Sequence, residues 1–276
     1  MGNIVVTLPD GSSKELPANS NGLDLANSIG PKLAKDSVAV VVNGIQRDLS
    51  DILPDNADVS IITKNSDEGV EIMRHTLSAQ VLALAVKNLY PDAKLAIGPT
   101  IEDGFYYDFF MDKPLSSDEL PKIEDEMNKL IKSKSKVSKS YHSKNEALKV
   151  FDNLDEGFKA EIINDSDQKD DFQLYTQDET GFIDLCRGPH LPNIGMCGEF
   201  KLTKVAGAYW RGDSTKPMLT RIYGTAWQTK KELSSYLEKL KKAEEVDHRK
   251  LGKEMNLFHF QDEAPGMVFW HPKGWT

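Results

Sequence analysis

The sequence predicts an α+β protein: a small β-grasp module, a second α+β domain and a long helix. Three features of the 276-residue chain carry that prediction. Residues 3–62 place short β-branched runs and turn residues around a single helical stretch. Residues 71–133 and 181–223 mix strands with amphipathic helices. Trp227 to Lys253 is one long amphipathic pattern. The length fits about two domains, each large enough to bury its own core.

Composition narrows the class. Charged residues make up 28% and hydrophobic ones 39%, as in an ordinary soluble chain. No apolar run approaches the ~18 residues of a membrane span, and the amino terminus lacks a basic flank with an apolar core. A cytoplasmic protein without membrane contact is expected. Val6 stands where a myristoylation signal wants Ser or Thr. Cys186 and Cys197 are too few for a disulfide framework, so reduced thiols are expected. The net charge of -9 argues against a uniformly basic nucleic-acid surface. Charge is nevertheless uneven: Lys129 to Lys144 holds six lysines and no acid, and the balance reverses from Asp152 to Glu179. A solvated face is the ordinary meaning of such a lysine run.

In chain order, Ile4-Val5-Val6-Thr7-Leu8 is β-rich and runs into the turn Pro9-Asp10-Gly11-Ser12. Ser20 to Lys35 has helical spacing through Leu23, Leu25, Ala26, Ile29 and Leu33. Val38–Val42 is a second strand stopped by Asn43-Gly44, and Val59–Ile62 a third. This content in about 60 residues is that of a β-grasp, ubiquitin-like module, in which no residue looks catalytic. Lys64 to Gly69 is a polar joint. Glu71 to Tyr90 then reads as a helix ending at Pro91, with His75 near its start. Leu95–Pro99 and Phe105–Phe109 read as strands about Glu102-Asp103-Gly104, and Ser117 to Ser133 as a helix striped by Leu120, Ile123, Met127, Leu130 and Ile131. Further strands are expected at 181–184, 200–205 and 219–223. The helix from Trp227 has eight basic and five acidic residues between Lys230 and Lys253.

The densest chemistry is Asp184-Leu185-Cys186-Arg187-Gly188-Pro189-His190. Pro189 lacks an N–H and disfavours helical geometry at Gly188, so Cys186 and His190 meet across a turn rather than along a helix. A thiol and an imidazole held that way can bind a metal, build a nucleophile and base, or position a water; they can also be a buried small Cys and a hydrogen-bonded His.

Arg74-His75, Ala96-Ile97-Gly98-Pro99, Gly104-Phe105-Tyr106-Tyr107-Asp108, Cys186-Arg187-Gly188-Pro189-His190, Ala206-Gly207-Ala208-Tyr209-Trp210-Arg211-Gly212-Asp213 and Pro265-Gly266-Met267-Val268-Phe269-Trp270 occur in one order. That ordered set resembles the bacterial threonyl-tRNA synthetases along the whole chain. The resemblance implies a TGS domain over residues 1–63, an editing (second-site) domain over 64–225, a linker helix over 226–254 and the start of a class II catalytic domain over 255–276, cut off at Thr276. It implies threonine tRNA, through its 3′ aminoacyl end, as partner, and hydrolysis of serine mischarged on it as activity. The parent's ATP, Mg and Zn, and the interface of its homodimer, would belong to the rest of the catalytic domain. No aminoacylation is expected from this chain, and no cofactor within it.

The resemblance also implies roles. His75, Asp184, Cys186, His190 and Lys159 would form the catalytic set: Asp184 and His190 position the substrate amine and the water, Cys186 lines the pocket, and Lys159 meets substrate or tRNA. Gln80, Gly98, Pro99 and Tyr107 would face the substrate, Tyr107 holding the terminal adenosine. Arg187, Tyr209, Trp210 and Arg211 combine stacking surface with charge suited to phosphate, although Trp210 fits a core position equally well, and the lysine run adds attraction for RNA. Proofreading has a physical motive: a pocket gains only ~1–3 kcal/mol from the methyl that separates threonine from serine.

One departure stands out. The family places two histidines four apart on the first helix, ~40° from each other. Here Ala79 is four from His75, and one surplus residue puts Gln80 in the alternative position, ~140° away in an unbroken α-helix. His75 and Gln80 could share a site only if the helix is distorted. Weakened hydrolysis is therefore expected, and a non-catalytic RNA-binding or regulatory module is the alternative. Four good metal ligands cannot be counted without the missing histidine, so no metal is expected.

Overall fold

The computed structural model describes residues 2–246 and 248–275, in two compact units, Met1–Gln228 and Thr229–Thr276. The first begins with the hairpin β1 (Asn3–Thr7) and β2 (Ser13–Pro17), whose turn holds Gly11 at φ +80. Helix α1 (Gly22–Ile29) starts on a capping box made by Asn21 and Asp24. The single expected helix is two, because Gly30-Pro31 ends α1 and opens α2 (Pro31–Asp36). Strands β3 (Ser37–Val42), β4 (Ile45–Asp48) and β5 (Ala57–Thr63) complete a sheet in the order β2-β1-β5-β3-β4. β1 and β5 are parallel and the other neighbours antiparallel, which is the β-grasp arrangement.

Ser66 caps helix α3 (Asp67–Thr76) by accepting the Gly69 N–H, with Asp67 and Glu68 favourably placed in the first turn. The helical path continues as a π-helical segment, Leu77–Leu82, and then α4 (Ala83–Leu89). A π segment is how a helix absorbs one inserted residue, so the surplus residue legible in the sequence has a physical form here. Ile72, Met73, Leu77, Val81 and Leu82 of this path are buried, in one core with Val38, Ala39 and Ile62 of the β-grasp sheet.

Two sheets flank that path. One holds β6 (Lys94–Leu95), β7 (Thr100–Ile101) and β8 (Gly104–Phe110), and later β12 (Glu199–Tyr209) and β13 (Met218–Trp227), in the order β12-β13-β8-β6 with β7 also on β8. The Asp103-Gly104 turn joins β7 to β8, with Asp103 at φ +57. The other is β11-β10-β9, built from β9 (Val137–His142), β10 (Phe172–Gln177) and β11 (Ile183–Leu185). Helix α5 (Leu120–Ser133) packs on the helical path and on β12, α6 (Lys144–Asn153) on β9 and β10, and α7 (Gly157–Asp165) on α6 and β6.

The lysine run departs from a solvated face at one residue. Lys139 on β9 has a side chain only 6% exposed, bound to Asp48 at 2.8 Å and Asp51 at 2.6 Å. The second unit contains α8 (Lys230–Glu245), α9 (His248–Glu254) and the pair β14 (Phe258–His259) and β15 (Phe269–Trp270). The expected helix starts three residues late, because Trp227 closes β13. Among the described residues no helix is long and apolar enough to cross a membrane.

Candidate functional site

His75 lies in the last turn of α3 and Cys186 follows β11, 111 residues later, yet His75 Nε2 and Cys186 Sγ are 2.7 Å apart. The His190 ring stacks on His75 with centroids 4.6 Å apart and planes within 8°. The Gly188–Pro189 peptide between them is cis. Gly188 has φ +64, and a Cβ there would lie 1.9 Å from the Tyr175 hydroxyl, so the turn is pressed against β10 more closely than a side chain permits.

Lys159 and Asp184 form the second part. Their Nζ and Oδ1 are 2.6 Å apart, with side chains 4% and 1% exposed. Asp184 Oδ1 also accepts the Leu185 N–H at 2.8 Å, and Oδ2 accepts the Tyr107 hydroxyl at 3.1 Å. Oδ2 therefore keeps a lone pair for a ligand donor. Tyr107 is fully buried; burial and then the Asp184 carboxylate raise its pKa well above that of an ordinary phenol, so it stays a donor. Tyr107 thus supports Asp184 from behind instead of presenting a ring to a nucleoside.

A cleft of about 740 Å³ joins these parts, lined by His75, Ala79, Gly98, Pro99, Lys159, Asp184, Cys186 and Arg187 among others. That size suits a small ligand with a few converging polar groups. At Gly98 a Cβ would come within 2.1 Å of the Tyr107 ring, so only glycine lets this wall close on Tyr107. Burial lowers the pKa of both His75 and His190 below the usual imidazole value. Both rings are neutral at pH 7, the form that accepts a proton or ligates a metal.

Three sequence-based assignments need revision in geometry. Gln80 is fully buried away from the cleft; Gln177 Nε2 donates to its backbone carbonyl at 2.8 Å. The π segment does distort the helix, but it brings Ala79, not Gln80, to the cleft wall. Trp210 is 2% exposed, edge-on to Phe158, and donates its Nε1–H to Glu161, so it is core and offers no face to a base. Arg211 is engaged by Asp165 at 2.6 Å, while Tyr209 remains exposed.

The expectation of no metal and no cofactor within this chain is also corrected. Donor atoms of His75, Cys186 and His190 lie within 4.8 Å of one another, a set capable of holding a metal ion. The expectation failed by requiring a fourth protein ligand, whereas catalytic zinc sites use three and leave a position open. The donor chemistry fits. Thr76 Oγ1 gives its one proton to the Ile72 carbonyl at 2.8 Å and accepts the Leu191 N–H at 3.0 Å, so its 3.2 Å contact with His190 Nδ1 is accepted as well. That places the ring proton on Nδ1 and the lone pair on Nε2, a buried atom with no hydrogen-bond partner among the described residues. Thr76 and Tyr175, which set this ring, carry no motif in the sequence.

The open wall at Ala79 gives a prediction. Ala79→His should add a donor to the cleft and tighten Co²⁺ binding by at least about tenfold, read from visible absorption of the titrated protein. Gln80→His should leave binding unchanged and lower stability, since that side chain is in the core.

Residues 4–63 match the TGS domain family, and residues 173–223 match the threonyl and alanyl tRNA synthetase second additional domain. Fold and site thus define an accessory region of an aminoacyl-tRNA synthetase. The chain corresponds to the amino-terminal TGS and second-additional-domain region of the bacterial threonine–tRNA ligases. It is 50% identical over 272 residues to threonine–tRNA ligase of Hahella chejuensis and 48% identical over 272 residues to that of Marinobacter nauticus, covering 99% of this chain and 42% of each relative. Against the Legionella pneumophila enzyme it is 50% identical over 271 residues, 98% of this chain and 42% of the relative. The chain therefore spans less than half the length of the relatives it matches.

Proposed function

We propose that the cleft between α3 and the Cys186–His190 turn hydrolyses serine from mischarged threonine tRNA, in the cytoplasm, as the proofreading part of a threonine–tRNA ligase. The observation that carries this reading is the convergence of His75 and Cys186 on one cleft with the buried Lys159–Asp184 pair, His190 completing the donor set from behind. In a full-length relative the remaining domain would attach threonine to tRNA with ATP. A site that then removes the smaller amino acid supplies the discrimination a single pocket lacks.

The residues divide the work. The free lone pair of Asp184 Oδ2 accepts from the serine ammonium, and Lys159 holds the carboxylate in place. Arg187, exposed on the cleft rim, meets the phosphate chain of the acceptor end. Neutral His75 takes a proton from water as its oxygen attacks the ester carbonyl. The carbon–oxygen bond to the ribose breaks, a proton goes to the departing ribose oxygen, and free serine and uncharged tRNA leave. A divalent ion held by His75, Cys186 and His190 would supply Lewis acidity at the carbonyl and make water easier to deprotonate; it would occupy the one ring lone pair of His75, which therefore serves as the base only in the ion-free site.

Incubating the chain with serine-charged and threonine-charged threonine tRNA tests the reading. Serine should be released well above the buffer rate and threonine spared. Persistence of both esters would overturn it, and tight tRNA binding in that case would favour the RNA-binding module, consistent with Ala79 in place of a second imidazole.

A further inference from the structure

The β-grasp sheet contributes a carboxylate to the back of the cleft. Asp48, the last residue of β4, is 7% exposed and lies 142 positions before His190 in sequence. Its Oδ1 accepts the backbone N–H of His190 at 3.0 Å, and its Oδ2 accepts the Tyr175 hydroxyl at 2.7 Å and the Lys139 ammonium at 2.8 Å. A carboxylate is an acceptor at every lone pair, so these three donors from the second domain fix its position and it fixes theirs. The Tyr175 ring stands edge-on to His190, with centroids 4.5 Å apart at 77°. His190 is thus held by its own main chain and by the ring behind it, and both holds end on Asp48.

We propose that Asp48 is a positioning residue for the hydrolytic cleft, holding the His190 main chain and the Tyr175 ring so that the His190 imidazole stays stacked on His75 beside Cys186. The assignment rests on the proofreading reading for its effect on rate, and on geometry alone for its effect on the ring. It makes the β-grasp module part of the site and not merely a neighbour of it.

Asp51 separates positioning from plain interface stability. It binds the same lysine, Lys139, at 2.6 Å, but its side chain has no hydrogen bond to His190 or Tyr175. In the full 276-residue chain, Asp48→Ala should lower kcat for serine release by about 10- to 100-fold with KM nearly unchanged, the scale of a displaced reacting group. Asp48→Asn keeps an oxygen for the His190 N–H and should recover part of that loss. Asp51→Asn should keep kcat within about twofold of the parent, and Tyr175→Phe should fall between. The ¹⁵N ring signals of His190 should move in Asp48→Ala, Asp48→Asn and Tyr175→Phe and stay in place in Asp51→Asn. Should Asp48→Ala fail to fold, Asp48→Asn and Tyr175→Phe carry the same comparison. Equal loss of kcat in Asp48→Asn and Asp51→Asn, or His190 signals unmoved in the Asp48 variants, would overturn the assignment. A parent chain that releases no serine sinks the proofreading reading instead, and the ring signals still decide the role of Asp48.

Discussion

Replacing His75 by alanine should lower serine release by about 100- to 10,000-fold while leaving the circular dichroism spectrum intact. His75 is only partly buried, at the end of α3 on the cleft wall, so its removal opens space without emptying the core. The loss is large because the one lone pair of the neutral ring serves as the base for water or, with an ion bound, as one of three metal donors, and neither role survives the change. Cys186 and His190 remain in the variant but do not replace it: they leave two metal donors of three, and His190, 2% exposed, does not line the cleft. A His75→Ala protein that keeps its Co²⁺ absorption and hydrolyses within a few-fold of the parent would remove His75 from the mechanism.

The second large effect is on stability. Lys159→Met should destabilise the chain by about 3–5 kcal/mol, measured by urea unfolding, because it strands the Asp184 charge in the interior. Asp184 is 1% exposed, and the Tyr107 hydroxyl and Leu185 N–H that remain are neutral donors. Replacing both partners, Lys159→Met with Asp184→Leu, should restore much of that stability while abolishing amine recognition, since the penalty comes from the unpaired ion and not from the lost contact. A single variant that costs less than about 1 kcal/mol would mean that water reaches the pair and that the cleft floor is not sealed.

How far these features were legible depends on whether the signal was local. Three of the β-grasp strands, β1, β3 and β5, announce themselves through β-branched runs and through Asn43-Gly44 and Asp10-Gly11, because strand and turn preferences act over a few residues, whereas β2 and β4 contain no such run. The Asp103-Gly104 hairpin was legible for the same reason. That the first long helix carried a surplus residue was also readable, but its consequence was not. A fixed 100° per residue already sets Ala79, ~40° from His75, on the cleft face, but it cannot say that a π segment takes up the surplus residue and leaves Gln80 in the core. The metal donors themselves, His75 and the Cys186–His190 turn, were legible, and the metal was excluded only because a fourth protein ligand was required. Lys139 in a basic run and Asp48 at a strand end have no periodic signature. Their pairing exists only because the two sheets pack together. Trp210, open in the sequence between a stacking surface and the core, is held inside by Phe158 and Glu161, neither of which its neighbours in sequence foretell.

The claim beneath these results is that one cleft recognises the serine ester between α3 and the Cys186–His190 turn. It is tested most directly by titrating the ¹⁵N-histidine-labelled chain with 3′-seryl-amido-adenosine, in which an amide replaces the ester. The ring signals of His75 and His190 should shift together and saturate, with the threonyl analogue giving smaller changes at equal concentration. Unmoved histidine signals under binding seen by calorimetry would place the ligand elsewhere and contradict the account.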